Sequence, residues 1–274
     1  MKLCYNVQTC SKTSDLEQDI TLSAASGFSH IEINIEKAEH YLKTHRDEEL
    51  YALLQKHSIE CASINAVFDI SFASGQKWDN LRATFDRACE LARIAHTTMI
   101  IVLSSERVDL PQDISDSAIF DDTVSVLKKL SNLASKRGIS IGFEPVGTMA
   151  VGDLFTAWQI MQQVDEDNVG LVVDAFNLYL WDLEAAFDPI LHINPKKISI
   201  VHLNDAESIP FTRLDQMHRC MPGDGRIQLK YYIQLLKTIG YEGLVSVEVL
   251  NPRIWEKGPH VVIPEAYQKA NTFL

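Results

Sequence analysis

The sequence predicts a single (β/α)8 barrel that spans residues 1–274, and three observations favour this fold class. Short apolar runs rich in β-branched residues alternate with amphipathic segments along the whole chain, which is typical of buried parallel strands separated by helices. Eight such strand–helix units within 274 residues match the usual size of this barrel. The structural alternative is an open, doubly wound sheet, which the absence of a Gly-x-Gly-x-x-Gly motif after the first strand disfavours.

Eight segments have the length and composition of parallel strands: Lys2–Asn6, His30–Ile35, Ile59–Asn65, Thr98–Leu103, Ile139–Glu144, Gly170–Ala175, Lys197–Asn204 and Leu244–Leu250. Amphipathic segments predict the helices: Asp15–Ser26, Asp47–His57, Trp78–Ala95, Asp121–Lys136, Leu154–Val164, Leu183–Leu191, Leu229–Ile239 and Pro264–Asn271. Several boundaries carry capping signals. Ser14 or Asp15 can cap the first helix, and Gly27, Gly138 and Gly240 follow helices where a C-terminal glycine is favoured.

Composition and charge exclude several classes of function. Hydrophobic residues make up 46% of the chain, which is enough for a large core. The net charge of −12 disfavours nucleic-acid binding, because that affinity depends on neutralising phosphates. No apolar stretch approaches the roughly 20 residues needed to span a bilayer. The five cysteines form no Cys-x-x-Cys motif, and Met1–Asn6 has no signal-peptide character, so we expect a cytoplasmic protein with reduced thiols.

The fifth to eighth predicted strands each end at a residue that can bind a metal ion, namely Glu144, Asp174, His202 and Glu248. One such residue alone is more typical of a helix cap or a loop. In a barrel, however, the carboxyl ends of four adjacent strands face one active-site mouth. Buried carboxylates repel one another unless a cation lies between them. The pattern therefore predicts one divalent metal ion.

The ligand types narrow the choice of metal. Three hard carboxylates and one imidazole favour Mn²⁺, while Co²⁺, Mg²⁺ and Zn²⁺ remain alternatives. Such an ion can bind a carbonyl oxygen together with the hydroxyl oxygen on the next carbon. It then makes the C–H group next to the carbonyl more acidic and favours its deprotonation.

Short motifs around these residues resemble the xylose-isomerase-like barrel family, which includes sugar isomerases, ketose epimerases and enzymes of inositol catabolism. The resemblance covers the whole chain and is carried by Met1–Asn6, Ile31–Ile33, Asn168–Asp174, His202–Asp205, Pro222–Gly225 and Val245–Glu248. It implies metal binding by the four residues named above, and catalytic proton transfer by Glu144 and Glu248. It also implies an isomerase that interconverts ketone and alcohol on adjacent carbons of a keto-polyol, with 2-keto-myo-inositol the expected substrate.

The sequence departs from the family pattern at two positions near the substrate. Many family members have a histidine three residues after the strand-six aspartate, where this chain has Asn177. Many also have a histidine soon after the strand-five glutamate, and Pro145–Thr148 contains none. Five residues are predicted to contact the substrate: Asn177, Arg219, Glu32, Asn6 and Asn65. For Glu32, a buried carboxylate behind the metal ligands is an equal alternative.

Other functions on the same fold remain alternatives. A ketose 3-epimerase or a 3-dehydroshikimate dehydratase would use the same metal and the same proton abstraction. An AP endonuclease would need further histidines, whereas strands three and four end at Asn65 and Ser104. A non-catalytic barrel would tolerate loss of a metal ligand, and none is lost. We expect a small keto-polyol or sugar as partner and no nucleic acid or membrane. A monomer and a homo-oligomer remain alternatives.

Overall fold

A computed structural model describes residues 1–274 and shows eight parallel strands closed into a barrel, which confirms the predicted fold class. The barrel strands are β1 (Lys2–Asn6), β2 (His30–Asn34), β3 (Glu60–Val67), β4 (Met99–Leu103), β5 (Ser140–Glu144), β6 (Val169–Asp174), β7 (Ile198–Leu203) and β10 (Leu244–Val247). The barrel closes where β1 pairs with β10, from Lys2 opposite Leu244 to Tyr5 opposite Val247. A short antiparallel hairpin of β8 (Asp205–Ala206) and β9 (Arg219–Cys220) follows β7.

Helices surround the barrel: α1 (Leu16–Ser26), α2 (Ile35–Leu42), α3 (Asp47–Lys56), α4 (Gly75–Ile94), α5 (Asp116–Ser135), α6 (Leu154–Val164), α7 (Ala175–Asp182), α8 (Leu229–Thr238), α9 (Pro252–Trp255) and α10 (Pro259–Asn271). The predicted cap at Asp15 is present, since its side chain accepts a hydrogen bond from the Gln18 amide, and Gly27 follows α1 in the left-handed conformation. No helix combines the length and the apolar character that crossing a membrane requires.

One predicted helix differs in type, and two helices of eight residues each were missed. Leu183–Leu191 lies in a 3-10 helix, Leu183–His192, and the α-helix α7 precedes it directly after β6. The sequence of α7 is apolar on most sides and so lacks amphipathic spacing, while Pro189 interrupts the regular hydrogen bonding of the following segment. The helix α2 was also missed: its apolar residues have helical spacing, but the helix is only eight residues long and follows β2 directly, so the pattern is short.

Strand register sets the height of the polar residues in the barrel. Asp174 pairs with His202 across β6 and β7, and Leu103 pairs with Glu144 across β4 and β5. Side chains alternate between the two faces of a strand, so residues two positions earlier share the inner face. Val172 and Ile200, two residues before Asp174 and His202, belong to a small buried cluster separate from the main core. The inner face therefore has an apolar floor beneath its polar carboxyl end.

Close packing of β6 against β7 near the amino end of the strands requires a glycine in β6. A Cβ atom on Gly170 would lie 2.5 Å from the Ser199 Oγ and 2.8 Å from the Lys197 carbonyl oxygen. The neighbouring backbone cannot move away without disturbing the β6–β7 pairing, which positions Asp174 beside His202. The glycine thus allows the close approach of these two strands.

Candidate metal centre and active site

The structure brings the four predicted metal ligands together at the carboxyl end of the barrel. Glu144 and Asp174 are the last residues of β5 and β6, His202 lies in β7, and Glu248 directly follows β10. One donor atom from each residue can be chosen so that all four lie within 4.8 Å of one another. All four side chains are buried. These residues form a compact cluster that would hold a single ion.

The imidazole supports this assignment on its own geometry. His202 is fully buried, and neither ring nitrogen makes a well-aligned hydrogen bond. Its Nδ1 atom faces three carboxylates, at 3.2 Å from Glu248 Oε2, 3.5 Å from Asp174 Oδ2 and 3.7 Å from Glu144 Oε1. A buried nitrogen without a hydrogen-bond partner, surrounded by carboxylate oxygens, fits a divalent cation well.

Electrostatics within the cluster favour added positive charge. Burial raises the pKa of Glu144 to about 7, and repulsion from Glu248 and Asp174 adds to this rise while His202 opposes it. Burial would also raise the pKa of Asp174, but Arg219 and His202 outweigh it and hold that pKa at about 2. Burial disfavours a charged His202, yet Glu32 and Glu248 raise its pKa above the usual value. A bound divalent cation would stabilise these carboxylates in their ionised form.

Glu32 and Asn6 lie behind the ligands and do not line the cavity. For Glu32 this is the second of the two predicted alternatives, whereas the structure does not support the predicted substrate contact of Asn6. Glu32 Oε1 lies 3.1 Å from His202 Nε2, and its Oε2 accepts a 2.7 Å hydrogen bond from Ser63. Asn6 Nδ2 is within 3.2 Å of Glu32 Oε1 and 3.1 Å of Glu248 Oε1. Both residues are completely buried and orient the ligands instead. Because side chains alternate between the two faces of a strand, both residues could be expected to point into the barrel. Their depth below the cavity could not be predicted in this way.

Arg219 is buried against the metal ligands. Its Nη1 atom donates to Asp174 Oδ2 and to Glu248 Oε2, both at 2.9 Å. Its guanidinium carbon lies 5.1 Å from the centre of the Phe176 ring. Arg219 also lines a cavity above the cluster, which is where its predicted contact with a substrate would be made. Arg219 therefore partly neutralises two ligands and presents a charged group to the cavity.

The hairpin that carries Arg219 is held by the two loop motifs of the sequence. Asp205 Oδ2 accepts hydrogen bonds from the Gly223 and Gly225 amides, and its Oδ1 accepts one from the Ile227 amide. A Cβ atom on Gly225 would lie 2.2 Å from the Ala206 carbonyl oxygen, so only glycine fits there. The buried Asp205 carboxylate thus joins the His202–Asp205 motif to the Pro222–Gly225 motif.

Asn177 contacts two ligands from the first turn of α7. Its side-chain Nδ2 donates to Glu144 Oε1 at 3.0 Å, and its backbone amide donates to Asp174 Oδ1 at 2.7 Å. Two further contacts were missed from the sequence. Asn204 Nδ2 donates to Asp174 Oδ2 at 2.7 Å, and Gln216 Nε2 donates to Asn177 Oδ1 at 2.8 Å. Asn204 could have been inferred from its place two residues after His202, but nothing local distinguishes Gln216.

A cavity of about 330 Å³ opens above the cluster. Part of its wall is polar and includes Asn65, Asn177 and Arg219, three of the five residues that the sequence predicts to contact a substrate. Another part is apolar and is formed by Phe68, Leu103, Val146, Met149, Met217 and Leu250. A small ring compound with hydroxyl groups on its edge and an apolar face fits such a mixed wall.

Comparisons with known proteins agree with this architecture. The family model of the xylose isomerase-like TIM barrel matches residues 20–270. An inosose isomerase from Bacillus velezensis is 31% identical over 261 residues, which cover 93% of this chain and 91% of the relative. A 3-dehydroshikimate dehydratase from Pseudomonas aeruginosa is 26% identical, covering 90% of this chain but 38% of that protein.

A solved structure, described as the IOLI protein with a binding zinc atom, superposes with a TM-score of 0.94. It is 29% identical, and the alignment covers 100% of this chain and 98% of that structure. The family match extends over far more than half of the sequence, and the closed parallel barrel agrees with it. This protein therefore belongs to the xylose isomerase-like TIM-barrel family.

Proposed function

We propose that this protein is an inosose isomerase, a metal-dependent enzyme that exchanges a ketone and an alcohol on adjacent carbons of 2-keto-myo-inositol. The observation that carries the proposal is the complete ligand cluster, with two glutamates, at the base of a cavity sized for one small polyol. The inosose isomerase relative, aligned over nearly its full length, supports the same substrate.

The proposed chemistry needs one carboxylate at each of the two reacting carbons. One glutamate, Glu144 or Glu248, acts as a carboxylate and removes the proton from the hydroxyl-bearing carbon next to the ketone, so that an enediolate forms. The other acts as a carboxylic acid and donates its proton to the former carbonyl carbon. The hydroxyl proton passes to the former carbonyl oxygen, so that the carbonyl and hydroxyl change places with no net gain or loss of protons. A bound divalent cation would supply Lewis-acid stabilisation of the developing negative charge.

Charge in the cavity favours a neutral polyol over an acidic substrate. The ionisable wall residues are Glu106, Glu144, Glu248 and Arg219. The only cation among them, Arg219, is already paired with Asp174 and Glu248. A carboxylate such as that of 3-dehydroshikimate would therefore find no free positive side chain and would meet an added acidic group. Dehydration of 3-dehydroshikimate is the alternative function, supported by the more distant relative.

We further propose Mn²⁺ as the native metal, because three carboxylates prefer a hard cation. The similar solved structure is described with zinc, and zinc is the main alternative. All five cysteines are buried and unpaired, which supports a reducing, cytoplasmic location. The single barrel is proposed to act as one domain over residues 1–274.

Product analysis tests the proposed function. The purified protein, loaded separately with Mn²⁺ and Zn²⁺, is incubated with 2-keto-myo-inositol, a ketohexose or 3-dehydroshikimate, and products are identified by NMR. We expect a rearranged keto-inositol with either metal, faster with Mn²⁺, and no aromatic acid from 3-dehydroshikimate. Formation of the aromatic acid with no change in the inosose would overturn the proposal in favour of the dehydratase. The Glu248→Gln variant is the matched control for contaminating activity.

A further inference from the structure

A continuous chain of side-chain hydrogen bonds leads from Arg219 to Glu144. Arg219 Nη2 donates to Gln216 Oε1 at 2.7 Å, Gln216 Nε2 donates to Asn177 Oδ1 at 2.8 Å, and Asn177 Nδ2 donates to Glu144 Oε1 at 3.0 Å. The other terminal nitrogen of Arg219 donates directly to Glu248 Oε2 at 2.9 Å. One guanidinium is thereby connected to both glutamates of the proposed reaction.

Gln216 is the link in this chain that lies farthest from the ligands. It opens a 3-10 helix, Gln216–His218, whose cap Asp215 accepts a 2.8 Å hydrogen bond from the Met217 amide. Gln216 is half-buried at the cavity edge and has no hydrogen bond to a metal ligand. Any influence on the metal centre must therefore pass through Asn177 or Arg219.

The amide group of Asn177 needs Gln216 to hold one orientation. Its nitrogen must face Glu144 to donate, which leaves its oxygen in need of a donor. Gln216 supplies that donor at 2.8 Å, whereas the nearest nitrogen of Arg219 lies 3.4 Å from the same oxygen. All three bonds of the chain run in the same direction, away from the guanidinium, so each polarises the next. Removing Gln216 would leave only the longer contact from Arg219 to hold the Asn177 amide toward Glu144.

We propose that Gln216 is a positioning residue of the metal centre, which fixes Asn177 so that Asn177 holds Glu144 in its ligand geometry. The effect on metal binding follows from the hydrogen bonds alone. The effect on catalysis, through the same placement of Glu144, rests on the proposed isomerase function.

The variant Gln216→Met tests the proposal because methionine keeps the side-chain length but cannot form the two hydrogen bonds. Loss of such outer partners lowers metal affinity or activity about 10- to 100-fold. We expect Gln216→Met to weaken Zn²⁺ binding about tenfold by calorimetry, and to lower kcat for the keto-inositol about tenfold. KM should change less than about twofold, because Gln216 acts on Glu144 and not on the substrate. The Gln216→Glu side chain can still accept the hydrogen bond from Arg219 but cannot donate one to Asn177. This variant should therefore show the same losses of Zn²⁺ affinity and kcat.

A double-mutant cycle identifies the route of the effect. In an Asn177→Ala background, Gln216→Met should cause little further loss of Zn²⁺ affinity, since the intermediate group is already absent. Arg213→Gln, an exposed change on the same loop, is the control and should keep wild-type affinity. Unchanged Zn²⁺ affinity in Gln216→Met, additive losses in the double variant, or a raised KM with kcat preserved would each overturn the proposal. If the wild type fails to convert any keto-inositol, the proposed function fails, and the affinity cycle still decides the role of Gln216.

Discussion

The substitution Glu32→Gln should weaken metal binding without unfolding the protein. Glu32 Oε1 lies 3.1 Å from His202 Nε2, and this buried negative charge favours a ring whose proton is on Nε2, leaving Nδ1 free to bind the ion. Glutamine keeps an oxygen beside His202, and its NH₂ group can donate to Ser63, which now donates to Oε2 at 2.7 Å. Steric fit and hydrogen bonding are therefore preserved, and only the charge is lost.

The expected loss is about 10- to 100-fold in metal affinity, the range found when the hydrogen-bonding partner of a metal-bound histidine is changed. This equals about 1.4 to 2.8 kcal/mol. Calorimetric titration of the metal-free protein with Zn²⁺ and Mn²⁺ measures it. Glu60→Gln is the matched control. Glu60 is the first residue of β3, the strand next to that of Glu32, but its side chain is 79% exposed. Equal Zn²⁺ affinities for Glu32→Gln and wild type, with His202 still required, would refute the role assigned to Glu32.

Three further predictions concern catalysis, the hairpin and the core. Glu248→Gln and Glu144→Gln should each lower kcat by at least about 100-fold, because proton transfer is lost, while circular dichroism stays native; an active Glu248→Gln enzyme would contradict the mechanism. Gly225→Ala should lower both activity and thermal stability, since its Cβ would meet the Ala206 carbonyl at 2.2 Å, whereas Gly75→Ala, which has open space but a left-handed backbone at φ +50°, should lower stability only and spare activity. Lys37→Met should destabilise the fold by about 3–5 kcal/mol in denaturant titrations at pH 7, because it leaves the buried Asp19 carboxylate, now 2.5 Å from Lys37 Nζ, without its cation. Burial already raises the pKa of Asp19, and loss of Lys37 raises it further, so this destabilisation should shrink as the pH falls and Asp19 becomes protonated; a loss independent of pH would contradict it.

The metal ligands could be predicted from the sequence because each lies at the end of a short apolar run. The barrel then dictates that adjacent strands bring their ends together, as the pairing of Asp174 with His202 shows. The same reasoning could not separate a cavity residue from one behind the ligands. Glu32 and Asn6 point inward as expected, but the depth at which they lie depends on the stagger between strands, which no local pattern encodes.

Loop geometry limited the remaining predictions. Arg219 was predicted to contact the substrate, but its pairing with Asp174 depends on the β8–β9 hairpin, which is two residues long on each side. Gln216 reaches Asn177 across 39 positions of sequence, a contact that only the folded loop creates. Helix α7 was displaced in the prediction because its apolar surface gives no period.

Solvent deuterium incorporation tests the central claim most directly, namely that the two glutamates of this cluster move a proton between adjacent carbons of a keto-inositol. The Mn²⁺-loaded protein is incubated with 2-keto-myo-inositol in D₂O, and the position of deuterium in the product is read by NMR. The account predicts a rearranged keto-inositol that carries deuterium at the newly reduced position, and no incorporation with Glu248→Gln. A rearranged product without deuterium, despite free exchange of the glutamate protons with solvent, would contradict the enediolate route. No product and no exchange from a protein shown to bind Mn²⁺ would contradict the assigned substrate.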